Sequence, residues 1–145
     1  MSRTDDATKL ELEALLKMAE TEIGEFVTTE FMMIDSESTA AEVIEKIRQK
    51  GQALSFLDHI YVSNKASQLI GVFSLHELLI ELPQTPVRKF MIENPITIHL
   101  HTPIRSVARK LVKYKVSALP VVNEYKKIVG IVTFDDITEY FMAKI

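Results

Sequence analysis

LIGVFSLHELL at residues 69–79 and IVGIVTFDDIT at residues 128–138 are one pattern written twice. Each is an apolar strand with a central glycine that runs into Ser or Thr, two residues, an acid and an apolar helix. A unit that recurs at roughly sixty residues is a supersecondary element that buries its apolar face by packing on its copy. The copies align residue by residue. Phe26 falls on Phe90, Ile34 on Ile98, Val43 on Val107 and Ile47 on Leu111; further on, Val62 falls on Val121, Gly71 on Gly130, Ser74 on Thr133 and Leu78 on Ile137. The offset drops from 64 to 59 between Arg48 and His59, so the first copy carries an insertion there, which is expected as a longer loop.

Each copy reads as strand, helix, strand, strand, helix, an α/β plan. Short helical turns are expected at 24–27 and 87–91, and brief strands at 32–34 and 96–98. Thr39 and Glu42 have capping-box spacing ahead of a helix with Ala40, Val43, Ile44 and Ile47 inward. Thr102, with Pro103 at the first helical position, opens the counterpart, whose inner stripe is Ile104, Val107, Ala108 and Leu111. Hairpin-like strand pairs are expected at 59–62 with 69–73 and at 119–122 with 128–132. The closing helices carry Leu75, Leu78, Leu79 and Leu82, or Phe134, Ile137 and Phe141. A separate amphipathic helix is expected at 8–20, with Leu12, Leu15, Leu16 and Ala19 on one face. The plan is therefore an N-terminal helix and linker at 1–22, a first repeat at 23–82, a linker at 83–86 and a second repeat at 87–142. A four-residue linker is too short for domains that move independently.

Composition narrows the function classes. A chain of 145 residues buries roughly 70% of its unfolded surface, enough for a real core. It has no cysteine, which excludes disulfides and thiolate metal sites and fits a cytoplasmic location. No apolar run of about 18 residues is present, so this stretch is not expected to enter a membrane. A net charge of −3 with dispersed basic residues argues against nucleic acid as a partner. Four glycines are too few for a phosphate-cradling loop, and no nucleophile, base and acid stand at catalytic spacing. An enzyme is not expected.

Two such repeats, each ending in Gly-apolar-x-Ser/Thr-x-x-acid, with SALPVV at 117–122 before the second hairpin, resemble a tandem CBS-domain pair over residues 23–142. The phrases IGEFVTTEFMMID at 23–35, QTPVRKFM at 84–91 and ALPVVNEYKKIVGIVTFDDI at 118–137 are similar to the cytosolic regulatory region of MgtE-type magnesium transporters. The resemblance implies two repeats paired pseudo-symmetrically through their sheets with two clefts, and a flat homodimer. It also implies a regulatory role: binding an adenine nucleotide (AMP, ADP or ATP), Mg²⁺, or both, and signalling to an attached or partner membrane transport domain. His76 and Glu77 stand where that pattern has an Arg-Asp pair. A mostly neutral imidazole suits a phosphate less well than a guanidinium.

Ser74 with Glu77, and Thr133 with Asp136, sit where a strand gives way to a helix, so a capping box explains both without a ligand. In the functional reading the carboxylate accepts from ribose hydroxyls while the hydroxyl and helix N-terminal amides meet the ligand. Ile96, Thr97 and Ile98, with Ser117, Ala118, Leu119 and Pro120, are candidates for an adenine slot and are equally ordinary core residues. Asp135, Asp136 and Glu139 are a tentative Mg²⁺ set that needs oxygens from another element or subunit to complete an octahedron. His99 and His101 read as a solvated strand end. A ligand sensor and a stand-alone dimerisation module remain the two competing classes.

Overall fold

The computed structural model describes residues 23–54 and 57–144, without the side chains of residues 140, 141, 143 and 144. The expected helix at 8–20 lies outside the described residues. In the first repeat, β1 (Met33–Asp35), α1 (Ala40–Lys50), β2 (His59–Ser63), β3 (Leu69–Ser74) and α2 (Leu75–Ile80) follow one another. The second begins with β4 (Ile92–Glu93), then α3 (Ile104–Lys113), β5 (Ala118–Val122), β6 (Ile128–Thr133) and α4 (Phe134–Lys144). A mixed α/β architecture of two matching halves results.

The register repeats the sequence offsets. β1 runs parallel to β2 with Ile34 opposite Val62, and Ile98 bridges Val121 in parallel. β3 pairs antiparallel with β4, Val72 opposite Ile92, and Ile131 bridges Thr28 antiparallel. In space the lead segments are exchanged, because residues that open the second repeat complete the first repeat's sheet, and Thr28, near the start of the first, bridges to the second's. The cores show the same exchange. Ile23 and Phe26 pack with Ile104, Val107, Leu111 and Ile137, while Val87 packs with Val43, Ile60, Phe73 and Leu78. Phe90 meets Phe73 edge to face at 5.1 Å. A third cluster, Tyr61, Leu69, Ala118, Val122 and Ile131, joins the halves.

Three departures from the sequence expectation have local causes. The strand expected at 96–98 is a single bridge at Ile98. In the first repeat the Tyr61 N–H donates to the Met32 carbonyl at 3.0 Å; Pro120 occupies the matching place in β5 and has no N–H to give. Thr102 does not cap α3. Pro103 stands at the N-cap, where Thr39 stands in α1, and offers no side-chain oxygen, while Thr102 Oγ1 accepts from the His99 N–H instead. Lastly, α2 stops at Ile80, with Glu81 extended as its C-cap, short of the Leu82 expected on it, a residue that Pro83 disfavours in helical backbone. Leu79, Ile80 and Leu82 are 65%, 70% and 74% exposed.

The linker is sewn to the first repeat. The first N–H groups of a helix lack intrahelical partners, and here Ala40 and Ala41 donate to the carbonyls of Thr85 and Pro83. Among the described residues no helix is long and apolar enough to cross a membrane.

Candidate functional site

The two motifs fold alike and end differently. Ser74 Oγ accepts from the Glu77 N–H at 3.1 Å, and Glu77 Oε1 reaches back to the Ser74 N–H at 3.2 Å and hydroxyl at 3.1 Å. The Glu77 carboxylate is thus committed to a complete capping box. Thr133 Oγ1 likewise accepts from the Asp136 N–H at 3.1 Å. Aspartate is one methylene shorter and its carboxylate does not close the box; among the described residues it makes no hydrogen bond or ion pair, and it is exposed.

A cavity of about 300 Å³ opens between the repeats. From the first come His59 and Tyr61 on β2 and Val72 on β3. From the second come Ile92, Asn94, Pro95 and Ile96 around β4, Tyr114 and Val116 after α3, and Ala118, Leu119 and Pro120 on β5. Antiparallel partners share a face, and Tyr61 on β2 lies opposite Val72 on β3, which puts both on one wall. Asn94, in the wall, is in the left-handed region at φ 52°, and so is Lys115 at φ 53°, between the wall residues Tyr114 and Val116. Lys115 sits in the turn that ends α3, where Val116 N–H donates to Leu111 and Lys115 N–H to Val112, the paired bonds of a Schellman closure.

No Asp, Glu, Lys or Arg lines this cavity. Its polar groups are His59, Asn94 and two tyrosines. Tyr61 is 2% exposed, and burial pushes its phenol pKa up. Its ring takes the edge of Phe31 at 5.9 Å. No buried side-chain nitrogen or oxygen lacks a hydrogen-bond partner among the described residues, and Tyr61 lines the cavity, where a ligand's polar atom can meet its hydroxyl. An apolar, aromatic-walled slot with a few convergent polar groups, at the small end of ligand-pocket volumes, suits a flat heterocycle.

Of the residues named from sequence, Ala118 and Pro120 line the cavity, as do Ile96 and Leu119. Thr97, Ile98, Ser117, Thr133, Asp136, Ser74 and Glu77 do not. Ile98 is core, and the Thr97 carbonyl accepts from Lys110 Nζ at 3.3 Å. Ser117 borders a separate, shallow depression with Leu111, Val112, Lys115 and Phe134. Sequence reading missed His59, Tyr61, Asn94 and Tyr114 because the exchanged lead segments place β4 against β3. The available signal was the repeat offset itself, which maps His59 onto Ala118 and Tyr61 onto Pro120.

Asp135, Asp136 and Glu139 are exposed on α4. Among the described residues no group of three His, Asp or Glu side chains is placed to hold a metal ion. Adjacent helical residues point about 100° apart, so Asp135 and Asp136 do not converge. His99 and His101 are likewise exposed.

The sequence profile of the CBS domain matches residues 23–84 and again 87–143. The magnesium transporter MgtE of Thermus thermophilus is 33% identical over 140 residues, covering 97% of this chain and 31% of the transporter. The chain thus spans about a third of that relative's length. The crystal structure of the cytosolic domain of the Mg²⁺ channel MgtE in complex with ATP superposes with a TM-score of 0.80 at 32% identity, over 86% of this chain and 51% of that one. A CBS domain pair in complex with 5′-methylthioadenosine and S-adenosyl-L-methionine superposes with a TM-score of 0.67 at 26% identity, over 82% of this chain and 98% of that one.

Proposed function

The chain belongs to the CBS-domain family, as two copies in tandem, and from that premise we propose that it is a non-catalytic regulatory module that binds an adenine nucleotide in the cavity between its repeats. The observation that carries this reading is the cavity itself, walled by both repeats and lined by Tyr61, Asn94 and Tyr114 among apolar side chains. Its relatives support the ligand class, since one is described in complex with ATP and another with two adenosyl compounds. A ligand that touches both halves binds one mutual arrangement better than another and shifts the population toward it.

Of the two motif carboxylates, Asp136 is uncommitted; it stands off the cavity wall, and we assign it to ribose hydroxyls that extend beyond the slot. Mg²⁺ enters with the nucleotide, because Mg²⁺ is commonly held by phosphates and waters with one or two carboxylates. In the longer relatives the matching stretch belongs to a magnesium transporter, and we assign this chain the same cytosolic regulatory role toward a transport domain. The exposed Leu79, Ile80 and Leu82 favour a second, compatible reading, association through α2 into a homodimer.

Titration calorimetry with AMP, ADP and ATP, with and without Mg²⁺, tests the reading on the wild type and on Ala118→Leu, which fills the slot from β5. Saturable binding that weakens at least tenfold in the variant is expected. Flat titrations for all three nucleotides would leave the dimerisation module as the function.

A further inference from the structure

We propose that Lys113 reads the ligand's phosphate and makes the cavity select a nucleotide over the matching nucleoside; this rests on the nucleotide reading above. The cavity wall carries no fixed charge. Its Tyr114 side is also the C-terminal end of α3: Tyr114 is the C-cap, and the carbonyls of Lys110, Leu111 and Val112 close the helix there. A helix C-terminus carries partial negative charge and repels an anion. Without a cation, this rim would favour an uncharged ligand.

Lys113 supplies that cation. Its Nζ lies 5.2 Å from the centroid of the Tyr114 ring, and that ring lines the cavity. An ammonium over a ring face is attracted by the ring's quadrupole, which biases this exposed side chain toward the ring that lines the cavity. Lys115, two residues on, borders the separate depression with Ser117 and Phe134 and serves as a matched charge outside the site. An ammonium about 8 Å from a dianionic phosphate in water-like surroundings favours it by about three- to tenfold, and salt screens most of that.

The test is calorimetry with adenosine and AMP on the wild type, Lys113→Met and Lys115→Met, with thermal melts confirming that each folds. The wild type should bind AMP about three- to tenfold tighter than adenosine, and 0.5 M salt should shrink the preference. Lys113→Met should erase it while leaving adenosine affinity unchanged, and Lys115→Met should keep it. An intact AMP preference in Lys113→Met, or equal loss of both ligands, overturns the assignment. Binding of adenosine without any AMP preference in the wild type also overturns it, leaving the nucleoside site standing. Binding of neither compound removes the site itself.

Discussion

Gly130→Ala should loosen the joint between the repeats, whereas the matching change Gly71→Ala should be nearly silent. Neither glycine has a positive φ, so both are there for space, at the strand crossings where the other half's lead segment passes. A Cβ on Gly130 would meet Val27 Cγ1 and lie 2.8 Å from the Thr28 carbonyl oxygen. That backbone is pinned by two 2.9 Å hydrogen bonds with Ile131 and cannot yield without stretching them. Weakening both costs about 1–3 kcal/mol, in line with overpacking elsewhere. Reduced freedom of the unfolded chain returns about 0.4–1 kcal/mol. A net loss of about 1–2 kcal/mol follows. On Gly71 the three atoms nearest to the Cβ all belong to the Met91 side chain, with Cγ at 2.9 Å and Cβ at 3.2 Å; the flexible thioether rotates aside, and Met91 Cβ has to give only slightly. Urea unfolding followed by circular dichroism reads the difference. With a slope of about 1.5 kcal/mol per molar, the Gly130→Ala midpoint should fall by about 1 M and the Gly71→Ala midpoint by less than about 0.3 M. Equal shifts, or a larger one for Gly71→Ala, would refute the crossing of lead segments as the reason for the doubled glycine.

Burial raises the Tyr61 pKa above the ordinary value of 10.0, so above that pH the unfolded chain releases a proton that the native state keeps. Stability is fully present below pH 10 and falls by about 1.4 kcal/mol for each further pH unit; Tyr61→Phe should flatten this alkaline slope in urea titrations, and an unchanged slope would contradict the burial argument. Lys115→Gly relieves a left-handed residue at the end of α3 and should stabilise by about 0.5–1 kcal/mol, since the left-handed region costs a side chain about 1–2 kcal/mol and glycine's extra unfolded freedom offsets part of that. Thermal melts at neutral pH decide it, and a lower Tm would show that Lys115 makes compensating contacts.

The repeat, the order of elements and the capping boxes at Thr39 and Ser74 were legible because each is a local pattern with a fixed spacing. The offsets of 64 and 59 reappear as strand register, Ile34 with Val62 and Ile98 with Val121. What was not legible depends on neighbours remote in sequence. The exchange of lead segments cannot be read from Ile23 or Val87 alone, because either could pack on its own repeat as well as on the other. The wall residues Tyr61 and Tyr114 become a site only once β4 lies against β3. Pro120 and Pro103 carried readable signals, a missing N–H and a missing cap oxygen, whose weight emerged from comparison with Tyr61 and Thr39.

Amide chemical shifts of the isotopically labelled protein, followed while AMP is added, test the central claim that the two halves enclose a ligand site. Saturable shifts should concentrate at 59–61, 92–96 and 114–119, drawn from both repeats at one common midpoint. Shifts confined to one repeat, scattered over the surface, or absent up to millimolar AMP would contradict it.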